Sequence, residues 1–277
     1  MRDNILIIGN NSFIGINLFN FFKKKRIKVK KISLEQFKKI NDKKLIKLNT
    51  IINCSISNKY VKNNYNYKND FDLFIANKIK EFEIKLIFIS TRKVYYPKAN
   101  ISETNKCNPI SNYAKNKLIT EKKLENLLNK KLLILRVSNI LGYKGKISKR
   151  KIHNTFLDIF IKNIKQKKVI KNEKIFKDFL TINQFAKIVH KLIINKSYGI
   201  FNISFGRKVY LYKLIDWLLK FNKNKLNSKK LTNFEKKKLE FRSFFLNNTK
   251  LKKKISINLD LDEIKKECLK ISKKIFY

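Results

Sequence analysis

Apolar residues in the first half of the chain come in short runs that are separated by longer amphipathic stretches. Four of these runs are almost continuously apolar, and one alternates apolar residues with lysine. Runs of four to eight apolar residues are typical of strands that a parallel sheet buries on both faces. The pattern therefore predicts five strands, at Ile5–Ile8, Ile27–Ile32, Thr50–Asn53, Lys85–Ser90 and Leu132–Arg136.

Between these strands, apolar residues recur at the three- and four-residue spacing of amphipathic helices. The helices predicted in this way are Phe13–Phe22, Asp70–Phe82 and Tyr113–Asn129. Strands that alternate with helices form a parallel sheet with right-handed crossovers and helices on both faces. The predicted fold class is therefore α/β, with a doubly wound parallel sheet.

The pattern changes after Gly142, where helical periodicity dominates and apolar runs become shorter. We expect residues 1–142 to form the sheet domain. Residues 143–277 should form mostly a small α+β lobe, with some segments that return to the core. The elements predicted here are helices at His153–Gln166, Asn183–Ile194 and Leu211–Phe221, strands at Val169–Ile170 and Ile200–Ile203, and a polar loop or loose helix at Asn222–Lys238.

The chain carries 66 basic and 20 acidic residues, a formal net charge of +46. A charge of this size suggests nucleic acid as a partner when it is concentrated in one tail or patch. Here the lysines run from Lys23 to Lys274 and are interleaved with core residues. This spread favours a solvated surface over a nucleic-acid site, and a positive surface would also attract a diphosphate substrate.

The cysteines and histidines do not form a ligand pattern. Cys54, Cys107 and Cys268 are widely separated, and only two histidines are present. We therefore expect reduced thiols and no structural metal. The first apolar run is too short for a signal peptide, and no stretch is long enough to span a bilayer, so we expect a cytoplasmic protein without membrane association.

The turn after the first strand has small residues at a spacing that suits a diphosphate. Gly9 and Gly15 fit the outer positions of GxxGxxG, and Ser12 replaces the middle glycine. Small residues let the backbone approach a pyrophosphate, and the amide groups of Phe13 and Ile14 open the following helix. These five residues predict a dinucleotide site, although a plain strand–helix turn would need the same glycines.

Ser33 follows the second strand, where an acidic residue normally binds the adenosine ribose of NAD. The absence of an acid there removes repulsion against a 2′-phosphate, and Lys30 and Lys31 lie beside it. The site therefore accommodates NAD or NADP, with a slight preference for NADP. An ordinary solvated strand end explains the two lysines equally well.

Tyr113 and Lys117 form a YxxxK pair. On a helix these positions share one face, so the ammonium can favour the phenolate and lower the pKa of the tyrosine. In so lysine-rich a chain the pair arises easily by chance. Its context supports it, because the residues at the end of the fourth strand, Thr91 among them, and those that lead into Tyr113 form a longer recognisable pattern.

The stretch around these residues resembles a known family. The segment from Ile89 to Tyr96, followed by Ser102, Glu103, Pro109 and Ser111, is similar to the run "ISS..VYG…E…P.S.YG.SK…E" of extended short-chain dehydrogenases, the NAD-dependent epimerase/dehydratase group. Further similar segments occur in the family's order. They are Asn69 with Leu73, Leu135–Gly142, Lys177–Asn183, Tyr198–Ser204 and Asn247–Leu251.

The resemblance implies a Rossmann-type dinucleotide-binding domain at 1–142 and a mostly substrate-binding lobe at 143–277. It implies that Tyr113 is the general acid/base, that Lys117 holds the nicotinamide ribose, and that Thr91 contacts the reacting oxygen. Asn139 would contact a nucleotide-sugar substrate. Arg242 is a candidate contact to the diphosphate of that substrate, because a guanidinium pairs with phosphate through two hydrogen bonds. Asn53 is also assigned to the cofactor site. The stretch Ile51–Ser55 around it is similar to "ViNcaa" of dTDP-4-dehydrorhamnose reductase-like proteins, which favours a reductase, whereas the pattern around Thr91 and Tyr113 is the more general one of epimerases.

Two reactions remain open within this family, epimerisation and reduction of a 4-keto sugar. Both would serve deoxysugar or cell-surface polysaccharide (lipopolysaccharide) biosynthesis, in an enzyme expected to be a homodimer. A dehydratase is disfavoured because Arg92 and Lys93 follow Thr91 where an acidic pair is usual. The departures Ser12, Tyr96 and Lys177 leave a second class open, a catalytically degenerate dinucleotide-binding or RNA-associated protein.

Overall fold

The computed structural model of the chain describes residues 4–143, 155–166, 175–222 and 243–277. Three predictions lie wholly or mostly outside these residues. They are the strand at Val169–Ile170, the polar segment at 222–238 and the substrate contact by Arg242.

A six-stranded parallel sheet forms the centre of the molecule, with strand order β2-β1-β3-β4-β5-β9. The predicted doubly wound α/β fold is confirmed, and each predicted strand of the first half is present within a residue or two. The strands of this sheet are β1 Asn4–Ile8, β2 Lys28–Ile32, β3 Thr50–Asn53, β4 Lys85–Thr91, β5 Leu132–Val137 and β9 Gly199–Ile203.

Helices cover both faces of the sheet. Those in the described residues are α1 Phe13–Lys24, α2 Leu34–Lys38, α3 Asp42–Leu45, α4 Asn58–Lys62, α5 Phe71–Ile79, α6 Asn112–Leu128, α7 Phe156–Lys165, α8 Ile182–Ile194, α9 Leu211–Leu219, α10 Thr249–Ile255 and α11 Leu261–Phe276. No helix in the described parts of the chain is both long and apolar enough to cross a bilayer.

The alternation of side chains along β1 explains why its sequence is apolar throughout. Ile5 and Ile7 point into one core, which α1 and α8 close, whereas Leu6 and Ile8 point into the other, which α5 and α6 close. Both faces of a strand in such a sheet are buried, so every position must be apolar. All four residues are at most 3% exposed.

The position of the candidate ligand site follows from the strand order. The chain leaves β1 for β2 on one side and later returns to β3 on the other side. Ligands of open α/β sheets bind at such a switch point, outside the carboxyl ends of the strands. The turn at Gly9, the end of β3 at Asn53 and the end of β4 at Thr91 all lie at this edge.

The second half of the chain contributes to the same sheet, because β9 pairs with β5 and extends its edge. Two small sheets lie outside it: β6 (Asn139–Leu141) pairs parallel with β8 (Phe179–Thr181), and β7 (Phe176–Lys177) pairs antiparallel with β10 (Val209–Tyr210). The division at residues 142 and 143 stays a prediction.

Candidate active site

The turn after β1 is shaped by its approach to the end of β3. Gly9 has a φ of 101°, and a Cβ there would lie 2.8 Å from the carbonyl carbon of Cys54. A Cβ on Gly15 would lie 2.7 Å from the carbonyl oxygen of Gly9. Only glycine fits these two positions, so the glycine pair is required by the protein itself before any ligand is considered.

Ser12 caps helix α1. Its Oγ accepts a hydrogen bond of 2.9 Å from the amide of Gly15 and also forms a hydrogen bond with the thiol of Cys54. Burial raises the pKa of this thiol to about 12. The side chain is thus engaged inside the protein, and the predicted phosphate contact would have to share this hydroxyl. Phe13 and Ile14 occupy the first two positions of α1, where amide groups point out of the helix end.

Ser33 begins helix α2 rather than standing in an open strand end. It forms a capping box with Gln36, in which the amide of Gln36 donates to Ser33 Oγ (3.1 Å) and the amide of Ser33 donates to Gln36 Oε1 (2.9 Å). Lys31 stacks over the ring of Phe19 at 4.9 Å. The role of Ser33 at the ribose stays a prediction.

Thr91 and Tyr113 meet where a strand end faces a helix start. Thr91 is the last residue of β4, and Tyr113 is the second residue of α6, whose first turn Ser111 caps. The hydroxyl of Thr91 hydrogen-bonds to the phenol of Tyr113 and accepts from the amide of Lys93 (3.2 Å). Two of the three residues that the sequence assigned to catalysis are therefore in direct contact.

Lys117 lies one turn further along α6 and is 4% exposed. Its Nζ lies 3.5 Å from Oδ2 of Asp72, 4.3 Å from the ring centre of Phe88 and 5.6 Å from that of Tyr60. A buried ammonium needs such partners, because taking a charge out of water is costly. The lysine is thus held between a carboxylate and two aromatic faces.

The pKa of Tyr113 differs from the sequence-based expectation. Burial raises it above its ordinary value and outweighs the opposing effects of the Lys117 ammonium and the Thr91 hydrogen bond, while Asp72 raises it further. Lys117 lowers the pKa of Tyr113 as predicted, but the predicted net lowering of that pKa is wrong. Desolvation of the phenolate was not visible in the sequence.

Asp72 is the residue at this site that sequence reasoning missed. It lies in the first turn of α5 and is 4% exposed. Burial raises its pKa to about 6 against the opposing effect of Lys117. An acidic residue in a first turn is common on exposed helices, where it favours the helix dipole. Nothing in the local sequence distinguishes this buried acid from such a residue.

Asn53, assigned from sequence to the cofactor site, is occupied by internal hydrogen bonds. Its Nδ2 donates to Asp72 Oδ1 (2.8 Å) and to the carbonyl of Ser55 (3.2 Å). Its Oδ1 accepts from the amide and the hydroxyl of Ser55 (3.0 and 2.6 Å). Asn53 therefore fixes the turn at the end of β3 and orients Asp72.

A buried polar network lies behind the candidate residues Thr91 and Tyr113. Glu121 on α6 accepts a hydrogen bond from Ser90 and a salt bridge of 2.6 Å from Arg136. Arg136 Nη1 donates to the hydroxyl of Tyr95 (2.7 Å), which donates to Asn202 in β9 (3.1 Å). This network ties α6 to both β5 and β9, and it fixes the helix that carries Tyr113.

The predicted substrate residues are only partly placed. Asn139 is the first residue of β6, and its side-chain amide donates a hydrogen bond of 2.9 Å to the backbone carbonyl of Asp178. Arg242 lies outside the described residues. In the parts of the chain that the structure describes, no group of three or more His, Cys, Asp or Glu side chains is arranged to hold a metal ion.

Solved structures with similar folds span the whole chain. A UDP-N-acetylglucosamine 4-epimerase from Methanobrevibacter ruminantium matches at a TM-score of 0.76 with 19% identity, over 99% of this chain and 98% of that one. A dTDP-4-dehydrorhamnose reductase from Clostridium acetobutylicum matches at 0.73 with 20% identity, over 98% and 99%. A UDP-glucuronic acid 4-epimerase from Bacillus cereus in complex with NAD matches at 0.74 with 16% identity, over 99% and 100%.

At these identities the likeness establishes the fold. A comparison with curated protein sequences gives no match. A family model described as "RmlD substrate binding domain" matches residues 1–171, which is more than half of the chain and includes Thr91, Tyr113 and Lys117. The chain therefore belongs to this RmlD family.

Proposed function

We propose that the protein is an NAD(P)-dependent nucleotide-sugar oxidoreductase that reduces a 4-keto sugar. The observation that carries this proposal is the meeting of Thr91, Tyr113 and Lys117 at the carboxyl end of β4, next to the capped N-terminus of α1. A proton donor and a dinucleotide-binding turn at one switch point are what hydride transfer to a carbonyl requires.

The turn after β1 fits a dinucleotide. Its glycines bring the backbone close to the end of β3, and the N-terminal amides of α1 open at this edge, where they would hold the pyrophosphate. Lys117 would hold the nicotinamide ribose. The bound nicotinamide supplies the hydride, and the similar fold of an epimerase solved with NAD supports this use. Ser33 in place of an acid favours NADP slightly.

Tyr113 would donate the proton to the carbonyl oxygen, and Thr91 would donate a second hydrogen bond to it. The phenol is protonated at neutral pH, since its ordinary pKa is about 10 and burial raises that pKa further. Donors that face the oxygen as it becomes negative stabilise the transition state more than the ground state. A protonated tyrosine suits the reduction of a ketone in particular.

The substrate class is a nucleotide sugar, in the synthesis of deoxysugars or cell-surface polysaccharide in the cytoplasm, by a homodimer. The RmlD family match and the similar fold of a dTDP-4-dehydrorhamnose reductase support reduction over epimerisation. Asn139 and Arg242 are the proposed substrate contacts. The alternative of a degenerate or RNA-associated protein gains no support from the family match.

The test is a panel of nucleoside-diphosphate 4-keto sugars with NADH or NADPH, followed by the absorbance of the reduced nicotinamide. We expect stoichiometric oxidation of the nicotinamide with one member of the panel. Interconversion of sugars without net oxidation would identify an epimerase instead. Salt-sensitive RNA binding without nicotinamide binding would contradict both.

A further inference from the structure

Asp72 is buried in contact with a residue of the candidate site. Its Oδ2 lies 3.5 Å from the Nζ of Lys117, and its Oδ1 accepts a hydrogen bond of 2.8 Å from Asn53. The side chains of Asp72 and Lys117 are each 6% exposed. An ion pair removed from water in this way is often no more stable than an apolar pair, so its presence calls for another reason.

The surroundings leave the carboxylate little freedom. Asn53 is itself fixed by hydrogen bonds from Ser55, and Asp72 belongs to the first turn of α5. The ammonium of Lys117 lies over the ring of Phe88. Neither partner can turn to solvent without losing a buried contact, so the distance between them is set by β3, β4, α5 and α6 together.

We propose that Asp72 is a positioning residue that fixes the ammonium of Lys117 and offsets its charge at Tyr113. This proposal rests on the proposed function, since it assigns the carboxylate a role in the same proton transfer. Without Asp72, no carboxylate would oppose the effect of Lys117 on Tyr113, and the pKa of the phenol would be lower. With Asp72, part of this lowering is offset, so the phenol holds its proton to higher pH.

The charged and titratable groups at this site come from every element packed around it. Lys117 and Tyr113 lie on α6, Tyr60 on α4 and Asp70 at the start of α5. Cys54 follows β3, and Lys93 follows β4 with its Nζ 6.0 Å from the ring centre of Tyr113. Asp72 is the carboxylate among them that contacts Lys117 directly.

The experiment follows the titration of Tyr113 by NMR of protein labelled with ¹³C at the tyrosine ζ carbon. Its resonance is assigned by its loss in Tyr113→Phe. In Asp72→Asn the titration should move to lower pH by roughly 1 pH unit, because a nearby negative charge is gone. In Lys117→Met it should move to higher pH, because a nearby positive charge is gone.

The opposite signs separate electrostatics from damage, since both substitutions break the same ion pair. Asp70→Asn is the matched control: its carboxylate faces Thr120 and Tyr65, so Tyr113 should titrate as in the parent. The double variant Asp72→Asn/Lys117→Met leaves no unpaired buried charge, and its titration should lie between those of the single variants.

Shifts in the same direction in the two single variants, or an unchanged titration in Asp72→Asn, would overturn the proposal. The alkaline limb of ketone reduction should also move to lower pH in Asp72→Asn, which a merely structural role would not cause. The NMR titration needs no substrate. Failure of every sugar to react therefore refutes the proposed function separately from the coupling between Asp72 and Tyr113.

Discussion

Two aspartates, Asp72 and Asp178, are buried in the molecule in different ways. Asp72 is paired by side chains, those of Lys117 and Asn53. Asp178 accepts hydrogen bonds from the backbone amides of Phe205 (2.8 Å), Gly206 (3.2 Å) and Leu246 (3.1 Å). Burial raises the pKa of both, to about 6 for Asp72 and to about 7 for Asp178.

The difference in partners indicates a difference in role. The backbone donors to Asp178 come from the segment after β9 and from the segment before α10, so this carboxylate ties separate parts of the chain together. The side-chain partner Lys117 belongs to the proposed catalytic set, whereas the partners of Asp178 are backbone amides of separate segments. We infer that Asp178 serves stability and that Asp72 serves chemistry.

The largest expected effect concerns the proposed catalytic residues, which Asp72 contacts through Lys117. Tyr113→Phe should lower kcat by roughly 10²- to 10⁴-fold, because the proton donor is lost. The free energy of unfolding should change little, since the ring is kept. Steady-state reduction and nicotinamide binding measure the two effects, and binding should stay close to that of the parent.

Tyr67→Phe is the control for this change, because Tyr67 is 64% exposed. Its turnover should match that of the parent protein. If Tyr113→Phe turned over equally well, the acid/base role would be refuted.

The next effect belongs to Asp178. Asp178→Asn keeps the shape but turns an amide nitrogen towards backbone donors that need an acceptor. We expect a loss of about 3 kcal/mol in the free energy of unfolding, since buried polar groups left unsatisfied are costly. Urea denaturation measures it. The control is Asp216→Asn at an exposed position of α9, which should change the free energy of unfolding by no more than about 0.5 kcal/mol. An equal loss in both variants would argue against the role of Asp178 in holding these segments together.

The sequence predicted the strands of the sheet and its first turn better than it predicted the burial of these two aspartates. Continuous apolar runs identify β1, β3, β4 and β5 because both faces of the sheet are buried. Glycine spacing identified the turn at Gly9 because the backbone there admits no Cβ. Short elements such as α2 and β7 depend on local capping and pairing, and their apolar periodicity is too short to detect.

Burial of a polar residue was the main thing that the sequence did not reveal. Asp72 stands in the first helical turn, where acids are usually exposed, and Glu121 stands on a helix with several exposed charges, so only the packing of α5 and α6 makes them internal. The long helix α11 was also missed, although Ile264, Cys268 and Ile271 recur on its buried face. The many lysines of this helix masked its apolar periodicity.

A third prediction uses pH to compare the carboxyl group of Asp178 in the folded protein with the same group in the unfolded chain. The folded-state pKa of Asp178, about 7, exceeds the ordinary value of 3.8, so the native protein holds this proton more tightly. Stability contributed by the proton is present below pH 4 and is lost as pH rises towards 7. The destabilisation caused by Asp178→Asn should therefore be larger at pH 4.5 than at pH 7.5, by about 3 kcal/mol.

Urea denaturation of both proteins at the two pH values measures this difference. A destabilisation that grows with pH would mean that the carboxylate is stabilised in its charged form, and that its backbone donors outweigh burial.

The smallest effect concerns Ser12, which lies in the turn after β1. Like Asp178, it accepts a hydrogen bond from a backbone amide inside the protein. Its Oγ accepts from the amide of Gly15. Ser12→Ala should lower the free energy of unfolding by about 1 kcal/mol, whereas Ser12→Gly should cost only a few tenths, because glycine is a better N-cap than alanine. Thermal denaturation of the two variants measures the order.

Cofactor binding by the same two variants then separates two roles of one hydroxyl. If Ser12 serves only as a cap, Ser12→Gly should bind the nicotinamide cofactor as the parent does, because a glycine leaves the turn open to the pyrophosphate. A large loss of affinity in Ser12→Gly, with stability almost unchanged, would show that the hydroxyl contacts the cofactor directly. In that case a residue at this edge of the sheet would combine the two roles that Asp72 and Asp178 keep apart.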